Sequence, residues 1–381
     1  MLHFTEGEFA HRRSLLENEL ARRGLDGMLC FSQESMFWLT GYDTFGFCFF
    51  QCLIVGSEQP VLLTRSADRL QARITSNIKD IRIWKDGDCA NPAEDLVSLV
   101  QEFGLAGKRL AIETDTHGLT AHNHIALNTA FSGVAELVEG SDIISKLRLV
   151  KSVEELTYVR RAAELADDAL DSAVSLMAPG VDEGKILAAM QGAVFAGGGD
   201  YPGNEFIVGS GENAMLVRYA AGTRSLSAND QLTLEWAGVY RHYHAAMMRT
   251  AIIGQPRDAH LEMHKAATEA LLRCEEVMAP GARMHEVFET HARVIDKAGF
   301  RNCRLNACGY SLGARFTPSW MEREMFRPGA DTVMEEGMVF FVHIILVDGE
   351  TNTAMTTGRT SIITENGSEQ LSRHDLHLIN R

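Results

Sequence analysis

The sequence predicts an α/β domain over residues 1–150, followed over 151–381 by an α+β domain built as a degenerate pseudo-twofold repeat. Three observations carry this. A chain of 381 residues has room for two domains at roughly 150 residues each. Its first ~150 residues alternate between strand-like and helix-like runs. Further on, short strings recur in matching order at offsets of 101 and 110 residues.

In the first domain, residues 7–26 place Phe9, Leu15, Leu16 and Leu20 at helical spacing. The runs 27–31, 47–56, 60–65, 81–85 and 108–114 predict strands, and 91–107 and 119–131 predict helices. Strands interleaved with helices at this rhythm imply a mixed or parallel sheet. The aromatic stretch 38–50 must be partly core strand, but Tyr42-Asp43-Thr44-Phe45-Gly46 reads as a turn. Near residue 150 a new segment begins: Ser152-Val153-Glu154-Glu155 is a capping box heading a helix to about Leu176.

The repeat follows. Met177-Ala178-Pro179-Gly180 recurs as Met278-Ala279-Pro280-Gly281, each closing one apolar helix and opening another. The strand LTLEWAGV (232–239) parallels MVFFVHII (338–345), and Arg249-Thr250-Ala251-Ile252-Ile253 parallels Arg359-Thr360-Ser361-Ile362-Ile363. Glu235 and His343 then occupy nearly equivalent places, each embedded in apolar strand. Burying such groups is costly unless they are paired or functional, so they predict a lined pocket.

A net charge of −15 at pH 7 argues against a nucleic-acid partner. No apolar run approaches the ~20 residues of a membrane helix, and the N-terminus lacks an apolar signal core, which predicts a cytoplasmic protein without membrane attachment. Seven cysteines without a CxxC predict reduced thiols, with Cys308 beside a glycine turn as a candidate pocket residue.

The C-terminal strings resemble those of the pita-bread proteins, the creatinase, prolidase and methionine aminopeptidase family. GDYPGNEFIVGSGENAMLVRY (199–219) looks like the family's substrate-side strand, and EWAGVYRHYHAAMMRT (235–250) like its DxGxxxxGYxxDxTRT hairpin. CGYSLG (308–313) sits where the family has GHGxG, EEGMVFFVHI (335–344) matches PGMVFxxEP, and GRTSIITENGSEQLS (358–372) matches the closing strand.

The resemblance implies positions for the peptidases' two-metal ligands Asp, Asp, His, Glu and Glu. In order they fall on Glu235, Ala246, Tyr310, His343 and Gly358. Ala246 and Gly358 have no side-chain donor, so the expectation is no metal and no cofactor. The runs 309–329 and 234–244 look most like ectoine hydrolase, which like creatinase shares this fold and cleaves non-peptide C–N bonds without metal.

The expected activity is therefore metal-independent hydrolysis of a non-peptide C–N bond in a small nitrogen-containing solute. Glu235 activates the attack, either by deprotonating water or by attacking carbon itself, titrating with a nearby imidazolium. His343 and His244 hold and deliver protons, and Tyr310 donates to developing oxyanion charge. Strand alternation sets His244 on the face of Ala246 and Met248. Arg218, where peptidases of this family have a substrate-binding His, reads as a carboxylate anchor, and Trp320 as a pocket border. Arg249, on the opposite strand face, reads as structural.

In creatinase-like proteins the loop matching 42–46 reaches over the partner's cleft. Tyr42, Asp43 and Phe45 are thus candidate substrate contacts in trans, in a homodimer whose N-terminal domain lies near the partner's active site. The alternatives are a metal-dependent Xaa-Pro aminopeptidase or dipeptidase and a non-catalytic binding module on a dead peptidase fold.

Overall fold

The computed structural model describes residues 2–56, 59–219, 221–222 and 224–381. The chain divides into two units, Met1–Arg148 and Leu149–Arg381.

In the first unit, α1 (Glu6–Arg22), α2 (Gln33–Thr40), α3 (Arg69–Thr75), α4 (Pro92–Glu102), α5 (Ala121–Ala130) and α6 (Ser141–Leu147) surround six strands. These are β1 (Gly27–Cys30), β2 (Cys52–Val55), β3 (Val61–Thr64), β4 (Asp80–Ile83), β5 (Arg109–Ile112) and β6 (Glu136–Glu139), in the order β4-β3-β2-β1-β5-β6. β2 runs antiparallel to both neighbours and the other pairings are parallel, so the sheet is mixed.

The aromatic stretch 38–50 is not strand. Its start belongs to α2, whose eight residues are all buried, and Gly46–Cys48 form a 3-10 turn. Its polar residues Gln33, Glu34, Ser35 and Thr40 are buried along with its apolar ones, so no exposed face gives it an amphipathic period. α2 is also anchored from a distance, since the Glu113 carboxylate accepts from the Phe31 and Ser32 amides at 2.9 and 2.8 Å. Tyr42 is fully buried in this unit's own core, its hydroxyl 3.2 Å from Gln51. The turn reading had made it a substrate contact; its ring is spent on packing. Asp43 is half-buried beside His3, and Phe45 is 82% exposed.

The second unit begins with α7 (Val153–Leu176), whose capping box is formed: Ser152 accepts from the Glu155 amide and Glu155 from the Ser152 amide. Then follow α8 (Glu183–Ala196), β7 (Ile207–Ser210), β8 (Asp230–Tyr240) and β9 (Tyr243–Ile253). The second half repeats this as α9 (Asp258–Val277), α10 (Met284–Lys297), β10 (Gly309–Ser311), β11 (Val339–Asp348) and β12 (Thr353–Thr364), with β13 (Gly367–Gln370) and β14 (Ile379–Asn380) added. The central strand order, β10-β11-β12-β9-β8-β7, reads the same from either end under the pseudo-twofold. Gly180 and Gly281, the last residues of the recurring Met-Ala-Pro-Gly, both take left-handed backbone, with φ of 83° and 90°.

Between β9 and β12 the backbone ladder pairs Met248 with Gly358 and Arg249 with Thr357, and Thr250 and Thr356 bond beside it. Arg249 is buried there and bonds the carbonyls of Met248 and Gly358 at 2.8 and 2.6 Å, the structural role expected of it.

Strand alternation divides the sheet's faces. Phe340, Val342, Ile344 and Leu346 of β11 pack with Met263, Ala267, Ala270 and Leu271 of α9. Trp236 of β8 donates its indole N–H to Ala166 of α7 at 2.8 Å. Gly238 lets the α7 backbone approach, because a Cβ there would lie 1.9 Å from the Ala162 carbonyl. Glu235, His244, Ala246, Met248 and His343 therefore fall on the face away from the helices. No helix among the described residues is long and apolar enough to cross a membrane.

Candidate active site

Register builds one row across the sheet. Glu235 lies opposite Met248, Met248 opposite Gly358, and Gly358 opposite His343. The pseudo-twofold passes through the middle pair and exchanges Glu235 with His343. Tyr310 approaches from β10, its hydroxyl 3.5 Å from Glu235 Oε1 and its ring centroid 5.6 Å from that of His343.

Glu235 is half-buried between Leu234 and Trp236, both fully buried. Loss of water pushes its carboxyl up to about 7, against the pull of the Arg218 guanidinium and the Tyr310 hydrogen bond. Its electrostatic partner is thus Arg218, not the imidazolium expected from sequence. Arg218 is exposed and makes no hydrogen bond or ion pair among the described residues.

Both histidines depart from expectation. His343 is buried, with Nδ1 unpartnered, and burial, with the nearby His291 and Arg218, pushes it down to about 3. His244 is fully buried. Burial, with His242 beside it, lowers it to about 3, and its Nε2 accepts from the Gly203 amide at 2.9 Å. Burial thus favours the neutral form of both, so neither rests as the imidazolium the sequence suggests. The same desolvation that raises a carboxyl lowers an imidazole, because it disfavours whichever form is charged.

Tyr310 is 4% exposed, and burial, reinforced by Glu235, holds its phenol well above the usual range, so it stays a donor. Trp320 is 1% exposed and gives its indole N–H to the Tyr310 oxygen at 2.8 Å. It supports Tyr310 from behind and is not the pocket border the sequence suggested. Cys308 also leaves the pocket. It is fully buried among the residues packed on α9, where burial pushes its thiol well up. Gly203 and Asn204, within the stretch 199–219 but with no individual mark in sequence, brace His244 and Trp320 from a remote loop.

The row does not fit a two-ion metal centre. Ala246 and Gly358 offer no donor, and position 358 has no room for one. A Cβ there would lie 2.7 Å from the Val342 carbonyl oxygen and 2.9 Å from the Phe341 ring. Among the described residues no three or more His, Cys, Asp or Glu side chains gather as a metal site would require.

A twofold domain of helix pairs and hairpins, with a polar row at its centre, defines the chain as a hydrolase of the pita-bread class. Residues 157–366 match metallopeptidase family M24, and residues 12–150 match the creatinase/prolidase N-terminal domain. The chain belongs to family M24.

It is 27% identical to the ectoine hydrolase of Halomonas elongata, over 97% of this chain and 96% of that one. It is 25% identical to the Xaa-Pro dipeptidase of Pyrococcus furiosus, over 65% of this chain and 70% of the other. The solved prolidase of Thermococcus sibiricus superposes with a TM-score of 0.89 at 19% identity, over 99% of this chain and 100% of that one, a likeness of fold.

Proposed function

We propose that this chain hydrolyses a non-peptide C–N bond in a small nitrogen-containing solute bearing a carboxylate, with Glu235 activating the attack and no metal ion taking part. The observation that carries the reading is the composition of the row: one half-buried carboxyl near neutrality stands where relatives of the peptidase type gather five ligands.

The ionised Glu235 takes a proton from water, and the water oxygen bonds to the carbon of the C–N bond. Tyr310 donates a hydrogen bond to the charge that develops. The C–N bond then breaks, and the leaving nitrogen takes the proton held by Glu235. One carboxyl with a pKa near the working pH serves as base and then acid, which suits two neutral histidines. The exposed Arg218, which makes no hydrogen bond or ion pair among the described residues, supports a carboxylate on the substrate. The ectoine hydrolase relative, matched along nearly its whole length, supports ectoine as the first compound to test.

The second reading is a Xaa-Pro dipeptidase with one rearranged ion, supported by the Pyrococcus furiosus relative and by Glu235 and His343 as remaining donors. One experiment separates them: hydrolysis of ectoine, creatine, related guanidino acids and Xaa-Pro dipeptides, measured in chelator and with added divalent ion. Turnover of a small solute in chelator is expected. Turnover confined to Xaa-Pro dipeptides and dependent on added ion overturns the proposal.

The proposal includes a homodimer in which Phe45 of one copy reaches the other's site, supported by its 82% exposure on a turn. A fully active monomer by light scattering overturns that part. A cytoplasmic location suits seven free thiols.

A further inference from the structure

The residues around the Tyr310 oxygen form a continuous brace in which Trp320, Gly203 and His244 are buried and Asn204 is half-buried. Trp320 Nε1 donates to that oxygen at 2.8 Å. The Trp320 amide donates to Asn204 Oδ1 at 3.1 Å. Gly203 lies so close that a Cβ on it would be 2.7 Å from the Trp320 nitrogen, which only glycine permits. The Gly203 amide in turn donates to His244 Nε2 at 2.9 Å, and the His244 ring lies 6.4 Å from the indole. Three segments far apart in sequence thus converge on one indole.

A phenol O–H lies close to its ring plane and has two favoured directions. The Phe341 ring, edge-on at 5.5 Å, and the His343 ring help fix that plane. The indole N–H can only donate, so it takes a lone pair on one side of the oxygen. The phenol proton is left to point the other way, and there Glu235 Oε1 lies 3.5 Å away. That separation is long for a hydrogen bond, and such contacts commonly tighten once substrate is bound. Donation from the indole also polarises the phenol and makes it a better donor.

We propose that Trp320 is a positioning residue, which fixes the Tyr310 proton toward Glu235 and the reacting carbon, with Asn204, Gly203 and His244 holding the indole in place. Its kinetic consequence rests on the reading of Glu235 as the activating group; its geometry does not. His244 then works as a neutral acceptor whose Nε2 must stay unprotonated to keep the Gly203 amide.

Two measurements test this, one without substrate. At pH 5 the protonated Glu235 carboxyl gives an infrared C=O stretch, identified by its loss in Glu235→Gln. In Tyr310→Phe the band should move to higher frequency as a donor is lost, and Trp320→Phe should move it the same way. A band left at the wild-type position by Trp320→Phe overturns the proposal.

The second measurement is a double-mutant cycle on whichever solute the protein hydrolyses. Trp320→Phe should lower kcat about threefold to tenfold with KM changed less than about twofold, in keeping with loss of one hydrogen bond. In a Tyr310→Phe background it should change kcat by less than about twofold. Equal losses in both backgrounds mean that Trp320 does not act through Tyr310, and the proposal fails. Should the band move while no solute is hydrolysed, the positioning stands and the activity reading falls.

Discussion

The two halves of the C-terminal domain use the same scaffold for opposite chemistry. β8 and β9 present Glu235 and Met248, and β11 and β12 present His343 and Gly358, in one symmetric row. Burial acts on both outer residues, pushing the carboxyl up to about 7 and the imidazole down to about 3. The arginines beside the axis diverge too. Arg359 forms an ion pair with Glu275 of α9 at 2.7 Å, whereas Arg249 bonds carbonyls and burial lowers it to about 10. A symmetric backbone therefore does not make a symmetric site. Burial leaves the two outer residues of the row with opposite shifts, the carboxyl raised and the imidazole lowered.

The largest expected effect separates the two halves directly. Glu235→Gln should lower kcat on the order of 10²-fold or more, as loss of a general base does, while His343→Gln should cost roughly tenfold or less. Equal losses in steady-state kinetics would mean that both halves share the proton work.

The second test concerns the vacant partner of that row. Gly358→Glu should destabilise the fold by about 3 kcal/mol in denaturant titration, because overpacking and a buried charge both add to the cost. It should not create tight ion binding by calorimetry. A stable variant holding a divalent ion would show that the second half lost its centre by side-chain deletion alone.

Arg218 comes next. Arg218→Gln should raise KM about tenfold with kcat changed little, the signature of a charged hydrogen bond made equally in ground and transition states. An unchanged KM would remove the carboxylate from the proposed substrate.

The smallest effect is on stability and has a definite sign. Glu235 has a folded pKa of about 7 against an ordinary 4.5. Its protonated form is favoured in the fold, so its contribution is intact below about pH 4.5 and is lost as pH rises through about 7. Discounted for partial solvent access, Glu235→Gln should gain about 1 kcal/mol relative to wild type at pH 8 and nothing at pH 4. His343→Gln should show the opposite asymmetry: a folded pKa of about 3 against 6.5 places its contribution above about pH 6.5, lost as pH falls toward 3. Thermal melts of both variants across pH 4–8 compare the halves.

Much of this was legible in the chain itself. The capping box at Ser152, the Met-Ala-Pro-Gly strings and the paired Arg-Thr segments are local or repeated signals, and they specify the second unit's helices, hairpins and pseudo-twofold. Alternation within β9 likewise set His244 on the face of Ala246 and Met248, and the repeat made Glu235 and His343 equivalent; the register between strands then brought them to one face.

Tertiary structure decided the rest. A helix such as α2, buried on every side with its polar residues included, shows no exposed face to give it a period, and the aromatic stretch that begins at its end reads in part as strand. Whether a histidine on the correct face is a proton carrier or a packed acceptor depends on how much water it loses. For His244 and His343 that was settled by loops and helices distant in sequence. Trp320 changed role for the same reason: hydrogen-bond partners 10 and 116 residues away fixed what its own neighbours in the chain could not.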